Sequence, residues 1–250
     1  MEIRDAYVVA YGRSPYCKAF KGGLAKTHPV DYGAQTLAGV LKKVPQLDVM
    51  EIDDLIVGCA MPKGVQDMNM ARLIAQRAGL PDKVTGMTIN RFCSSGLQTI
   101  ATAANAIMCG QADVIVAGGT ETMSMIPMTP EPGYEDAWLM KHAPDNYVSM
   151  GITAENVAAD YHIDRVDMEK MACESHAKAA AAQKAGYFKD QIIPIETVDA
   201  EGKPVILSED DGIRENTNMK GLAKLKPCFK PDGVITAAIS SQMTDGAGFV

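Results

Sequence analysis

The sequence predicts a layered α/β protein, and three observations carry that reading. Short apolar runs alternate with amphipathic stretches through the first 119 residues, the pattern of strands and helices packed in layers. The order strand, helix, strand repeats regularly, which favours parallel pairing through right-handed crossovers. A chain of 250 residues with 47% hydrophobic and 22% charged side chains has the balance of a globular protein with one large core or two modest ones.

The elements follow in order. Ala6 to Ala10 reads as a buried strand. Asp31 to Val44 carries Ala34, Leu37, Ala38 and Leu41 at helical spacing and is closed by Pro45. Leu55 to Ala60 is a second strand, and Asn69 to Gly79 a helix stopped by Gly79 and Pro81. Thr85 to Asn90 is a third strand, Leu97 to Met108 a helix ended by Gly110, and Val114 to Ala117 a fourth strand before Gly118-Gly119.

After Gly119 the composition changes. Met123, Met125 and Met128 and the prolines at 127, 130, 132 and 144 crowd a stretch without steady period, which reads as a long ordered loop. Two helices follow, Thr153 to Tyr161 and Asp167 to Ala185, the second with an alanine-rich face and a Gly186 stop. Ile192 to Val198 and Pro204 to Leu207 read as a hairpin around Glu201-Gly202, and Leu222 to Leu225 as a helical turn before Pro227. Gly233 to Ala238 is strand-like. Asp245 to Val250 reads as a turn leading into a new apolar strand, which leaves ladder groups to be paired and suggests a missing piece.

A formal charge of −7, from 31 acids against 24 Lys and Arg, leaves no basic surplus for phosphate backbones and argues against nucleic acid as a main partner. No run approaches the roughly 18 apolar residues of a membrane span, and Met1 to Ala10 is too short and polar for a signal peptide. The expected location is cytosolic, or an organelle matrix after loss of a transit peptide. Six cysteines, at 17, 59, 93, 109, 173 and 228, form no Cys-x-x-Cys pair and have no close His companion, so no metal site is expected and most should be small buried hydrophobes.

Cys93 is different. It lies in Asn90-Arg91-Phe92-Cys93-Ser94-Ser95-Gly96-Leu97-Gln98, where a strand should end and a helix begin. The positive end of the helix dipole and its free N–H groups favour thiolate over thiol there, the condition for a nucleophile. Ser94 and Ser95 are candidates to cap the first turn, and Gly96 lets backbone pack closely or leaves room for a substrate. The plain alternative is a buried small residue at a tight turn with ordinary capping serines.

That motif resembles the thiolase family, as do Gly118-Gly119-Thr120-Glu121-Thr122-Met123-Ser124-Met125, Met150-Gly151-Ile152-Thr153-Ala154-Glu155, Ala223-Lys224-Leu225-Lys226-Pro227 and Ser240-Ser241-Gln242-Met243-Thr244-Asp245-Gly246. The five blocks keep the family's order and spacing from one end of the chain to the other. The form around Cys93 looks more like the degradative 3-ketoacyl-CoA thiolases than the biosynthetic acetoacetyl-CoA enzymes. The resemblance implies acyl transfer between a 3-ketoacyl-CoA and CoA, in either direction, with Cys93 holding the acyl group as a thioester. It also places Met150 against the reactive end of the pantetheine, Arg214 near the adenine end of CoA, Phe229 along the nucleotide and Ser241 at a pantetheine amide. Without it these four would be a core Met, a solvated Arg, a core Phe and a turn Ser. CoA and acyl-CoA enter as substrates, with no permanently bound cofactor, and a homodimer or homotetramer is implied.

The sequence departs from the family in places. Ser149 stands where many members carry His, and Ile239 where many carry Asn. The family's Asn-Glu-Ala-Phe, Gly-His-Pro and Cys-Gly-Gly blocks, which supply the base for the nucleophile and the acid and base on the α-carbon, have no counterparts here. His28, His142, His162 and His176 are expected at the surface or in packing roles, and Cys59, Cys109 and Cys173 in burial. The implied architecture is the first of two sheet-containing halves: residues 1–119 and 233–250 form it, an inserted loop domain of 120–232 covers the CoA, and the second half is missing, supplied in cis or as a second chain. The competing readings are a non-catalytic thiolase-like subunit that binds acyl-CoA, and a ketosynthase or hydroxymethylglutaryl-CoA synthase relative, against which the Met-rich loop argues.

Overall fold

The computed structural model describes residues 3–199 and 201–250. They divide into two compact units, one of residues 1–128, 188–212 and 243–250, the other of 129–187 and 213–242. Residues 120–128 and 188–212, read from the sequence as part of an insertion, group with the first unit, and 233–242, read as part of the first half, group with the second.

The first unit is built on β1 (Gly12–Arg13), β2 (Cys17–Lys18), α1 (Pro29–Leu41), β3 (Asp54–Gly58), α2 (Met70–Arg77), β4 (Thr85–Ile89), α3 (Ser95–Met108) and β5 (Ile115–Glu121). The second contains α4 (Ala137–His142), α5 (Met150–Asp160) and α6 (Arg165–Lys184). The chain then returns to the first unit for β6 (Ile195–Val198) and β7 (Pro204–Leu207), to the second for α7 (Met219–Leu222), and ends in the first with β8 (Thr244–Phe249).

The main sheet has the order β1-β8-β5-β3-β4, with β2 also on β8. β4, β3 and β5 are parallel, as the crossover pattern requires, whereas β8 runs antiparallel to β5 and β1. The sequence signals account for the helices between them. His28 caps α1 by accepting from the Val30 N–H through Nδ1, Pro29 occupies the first turn, and Tyr32, Leu37 and Val40 line the buried face. Asn69 caps α2 by accepting from the Arg72 N–H, and Gly79 beyond its end is left-handed at φ 80°. These two helices pack on one face of the sheet over Leu55, Val57 and Val116, with Met70, Ala71 and Ile74 fully buried. The opposite face is thinner: Ile56 and Ala117 meet Ala103 of α3. Alternation along β3 sends Ile56 to one core and its neighbours to the other.

Three sequence expectations need correction. Ala6–Ala10 is not a strand, and Tyr7, Val8 and Val9 are exposed. The ladder to β8 begins only at Gly12, which pairs with Phe249, followed by Arg13 with Gly248. The strand expected at the end of Asp245 to Val250 is present, but no turn precedes it there, because β8 already runs over Thr244–Phe249. Gly233–Ala238 forms no strand: the N–H groups of Val234 and Ile235 donate to the carboxylate of Glu155, at 2.9 Å each, rather than to a ladder. The stretch read as one long loop also contains α4, and α5 starts at Met150.

The β6–β7 hairpin segment is fastened within the first unit by Arg13 and Asp210, paired at 2.7 and 2.9 Å, each with only 13% of its side chain exposed. In the second unit, Arg165 joins α6 to α7 by donating to Glu169 at 2.7 Å and to the Leu222 and Leu225 carbonyls at 3.2 and 2.7 Å.

Ile74 has no exposed surface, so Ile74→Ala should lower the unfolding free energy by about 2–5 kcal/mol in urea denaturation. Leu73, on the half-exposed side of the same helix, should cost under about 0.5 kcal/mol when changed to Ala if the facing is as described.

Candidate active site

The turn from β4 to α3 puts Cys93 at the amino end of a 14-residue helix, with its side chain exposed. Phe92, immediately before it, is held at φ 46°, a left-handed conformation that a bulky side chain seldom adopts. Its N–H donates to Asn90 Oδ1 at 2.8 Å, and its carbonyl accepts from the Ser95 hydroxyl at 2.6 Å. Ser95 Oγ in turn accepts from the Arg91 N–H at 2.9 Å. The expected capping role of the serines is not what forms: Ser94 occupies the N-cap position without a side-chain cap bond, and Ser95 reaches backward instead. Gly58 at the end of β3 makes room for this packing, since a Cβ there would lie 2.7 Å from the Ser95 carbonyl carbon. Gly96 has open space around its Cα, so of its two expected roles the structure fits the one that leaves room.

Cys93 borders a cavity of about 540 Å³ in the first unit, lined among others by Phe92, Met61, Met123, Ile126 and Phe249. Its wall is fixed by buried polar groups that the sequence reading did not single out. Asp245, fully buried, accepts from the Met123 and Ser124 N–H groups at 2.8 and 2.9 Å, from Thr122 Oγ1 at 3.2 Å and from Ser124 Oγ. Gln66 Oε1 accepts from the Thr122 N–H at 2.5 Å while its amide donates to Glu121 Oε1 at 2.6 Å. Glu121 Oε2 accepts from the Ala60 N–H at 2.6 Å. Two advance signals touched Asp245, its place in the Ser240–Gly246 block and an Asp-Gly pair that reads as turn chemistry, and neither marks it as a buried acceptor.

Burial and the neighbouring Glu121 carboxylate push the Cys59 thiol up to about 12. Burial and Asp211 do the same to Cys17. Both are therefore neutral packing groups. Cys109 is exposed and Cys173 half-buried, so the expectation of burial holds for Cys59 alone of those three. Cys109 sits at the C-cap of α3, where the helix emerges from the core.

The second unit carries the other four candidates. Met150 is the first residue of α5 and 70% exposed. Phe229 lies against that same end: a Cβ at Gly151 would come within 2.1 Å of Phe229 Cδ1, so only glycine admits the ring. Met150 and Phe229 thus share one surface, and neither belongs to a core. Arg214 is exposed, and its backbone N–H donates to His176 Nδ1 at 3.1 Å. Ser241 is exposed, with its hydroxyl 3.4 Å from the Gln242 carbonyl. Ser149, in place of the histidine that many thiolase-like sequences carry, caps α5 by accepting from the Ile152 N–H at 3.4 Å. The histidines take local roles: His28 caps α1, and His142 stacks on Trp138 with centroids 4.3 Å apart. Among the described residues no group of His, Cys, Asp and Glu is placed to hold a metal ion, and no helix is long and apolar enough to cross a membrane.

Comparison with known proteins finds relatives over nearly the whole chain. The family model described as thiolase, N-terminal domain, matches residues 6–250. The chain is 43% identical to the 3-ketoacyl-CoA thiolase of Bacillus subtilis (strain 168), over 99% of this chain and 65% of that protein. It is 42% identical to the peroxisomal 3-ketoacyl-CoA thiolase 2 of Arabidopsis thaliana, over 98% of this chain and 54% of that one. Among solved structures, the acetyl-CoA acetyltransferase of Bacillus anthracis superposes with a TM-score of 0.88 at 35% identity, covering 99% of this chain and 65% of the other. The chain therefore spans between about half and two thirds of the length of these relatives.

Brief iodoacetamide treatment of the folded chain at neutral pH should label Cys93 first, with Cys17 and Cys59 protected by burial and by thiols that stay protonated. Peptide mapping reads the order. Labelling led by Cys109 or Cys228, the other exposed thiols, would remove the case for a specially reactive Cys93.

Proposed function

The chain belongs to the thiolase family, and on that premise we propose that it carries the nucleophile and the CoA-contacting surface for thiolysis of 3-ketoacyl-CoA. The observation that carries the reading is the exposed Cys93 at the amino end of α3, bordering a cavity of about 540 Å³. In this chemistry the Cys93 thiolate adds to the 3-keto carbonyl carbon. The bond between C2 and C3 then breaks, its electron pair stays on C2, and C2 takes a proton to release acetyl-CoA. The acyl group remains on Sγ as a thioester, and the thiol of a second CoA loses its proton and attacks, giving the shortened acyl-CoA and freeing Cys93. Each step runs backward through the same groups, so the reverse condensation would use the same acyl-Cys93 intermediate. The degradative form is supported by the 3-ketoacyl-CoA thiolase names of the relatives, and the acetyl-CoA acetyltransferase likeness keeps a biosynthetic acetoacetyl-CoA thiolase as the alternative.

Met150 and Phe229, on one surface at the start of α5, are assigned to the pantetheine and nucleotide of CoA, Arg214 to its adenine end and Ser241 to a pantetheine amide. CoA and acyl-CoA are substrates and not resident groups. Self-association as a homodimer or homotetramer belongs to the same reading. Proton transfer to C2 and from Cys93 has no assigned residue among these 250, because the Gly-His-Pro and Cys-Gly-Gly blocks do not occur in them. General acid-base groups contribute about 10² to 10⁴ in rate each, so the 250-residue chain alone is expected to accept an acyl group on Cys93 without turning over.

Incubation with an acyl-CoA followed by peptide mass measurement should therefore find an acyl adduct on Cys93, absent in Cys93→Ala. An adduct elsewhere, or none, overturns the nucleophile assignment, and CoA binding without acylation would favour a non-catalytic acyl-CoA-binding subunit. By calorimetry, Arg214→Ala should weaken CoA binding by up to about tenfold, or about 1.4 kcal/mol; an unchanged Kd would return Arg214 to a solvated surface charge.

A further inference from the structure

We propose that Ser95 is a positioning residue for Cys93: its hydroxyl braces the left-handed turn at Phe92 and so keeps the thiol at the amino end of α3. The inference rests on the reading of Cys93 as the nucleophile and adds the device that holds it in place.

A phenylalanine at φ 46° does not stay there unaided, because its Cβ crowds the backbone in that region and most L-residues avoid it. Something must make the relaxed alternatives worse. Phe92 is held on both sides, its N–H by Asn90 Oδ1 and its carbonyl by Ser95 Oγ. The Ser95 hydroxyl does more than the Asn90 amide, since it also accepts from the Arg91 N–H. One oxygen thereby ties the two residues that precede Cys93 to the residue that opens the helix.

The site is built for this hydroxyl. Ser95 is only 4% exposed, and a serine at a helix start ordinarily satisfies a free N–H of its own first turn. Here it turns back to the strand side, and both its donor and an acceptor lone pair are used inside the turn. The neighbouring strand leaves the space: a Cβ at Gly58 would sit 2.8 Å from Ser95 Cβ. Without the hydroxyl, the Phe92 carbonyl keeps only the Ser95 N–H, at 3.0 Å, and the Arg91 N–H loses its acceptor, so Phe92 is freer to relax toward negative φ. Cys93 follows Phe92 in the chain, so that rotation moves the thiol away from the helix end, where N–H groups and dipole favour the thiolate.

The test is the rate of iodoacetamide labelling of each cysteine in the folded 250-residue chain, read by peptide mapping, with Cys109 and Cys228 as internal controls. Ser95→Ala should slow Cys93 roughly fivefold, the factor that one hydrogen bond is worth, with the two control rates unchanged and Cys17 and Cys59 still protected. Glycine adopts positive φ at no steric cost, so in a Phe92→Gly background the same Ser95→Ala change should alter the Cys93 rate by less than about twofold. A serine with a merely structural role would show no such dependence on residue 92. Asn90→Ala, a change at an exposed residue, should slow Cys93 in the same direction and covers the case in which Ser95→Ala does not fold. A Cys93 rate unchanged in both variants, or an equal loss with and without Phe92→Gly, overturns the proposal. The separate outcome in which Cys93 is not the fastest thiol in the unsubstituted chain counts against the nucleophile reading, while the ratio between variants still judges the brace.

Discussion

A single buried carboxylate organises the end of the sheet where the site lies. Asp245 sits on β8 with no exposure to solvent, and a carboxylate in that position is costly unless donors replace the water it has lost. Two backbone N–H groups and two hydroxyls from residues 122–124 do so. The bond network fixes the path of the chain leaving β5. Ser124 extends it, because its hydroxyl oxygen accepts from the Phe20 N–H at 2.7 Å. From Thr122 the network continues through Gln66 and Glu121 to Ala60, which fastens the chain leaving β3. Tyr32 of α1 closes it from the helical layer by donating its hydroxyl to the Glu121 carbonyl at 2.6 Å.

This arrangement separates rigid support from reactive group. Buried polar networks are rigid when every member is satisfied, and here they run behind the cavity while Cys93 faces outward. The second unit follows the same division. Glu155, 5% exposed, holds the N–H groups of Val234 and Ile235, and Cys228 donates its N–H to the Ile235 carbonyl at 2.9 Å. The exposed ring of Phe229 therefore rides on a segment anchored from within α5, the helix that also presents Met150. In both units an interior carboxylate fixes a chain segment by accepting its backbone N–H groups.

Much of this could be read from the residues, and the failures have a common cause. The apolar spacing in α1 located its buried face correctly through Ala34 and Leu37, and the strand-to-helix junction at Cys93 is where the motif placed it. Such signals are local, since periodicity is a property of neighbours in sequence. Ala6–Ala10 has the composition of a strand, yet composition does not say which backbone lies opposite. Asp245-Gly246 has the composition of a turn, yet its carboxylate is satisfied by residues up to 123 positions away. Phe92 gives no hint of positive φ, because the usual markers, glycine and asparagine, are absent at that position. Glu121 and Gln66 look like solvated polar residues until the fold brings them together.

The position of β8 in the sheet has a kinetic consequence. β8 lies between β5 and β1, so a strand that follows both of its partners in sequence occupies an interior place, and one of them, β1, lies more than 230 residues before it. Closing the chain between Thr122 and Asp245, 123 residues apart, carries a loop entropy of roughly 4 kcal/mol before any contact repays it. Pairings at such separation raise contact order and slow folding. The parallel β4-β3-β5 core with α1 and α2 has only local crossovers and can assemble first. Until β8 arrives, the outer edge of β5 has no partner, a state in which a nascent chain is exposed to edge-to-edge association and to capture by chaperones. The site's wall, and with it the cavity, therefore forms only after β8 has docked on β5.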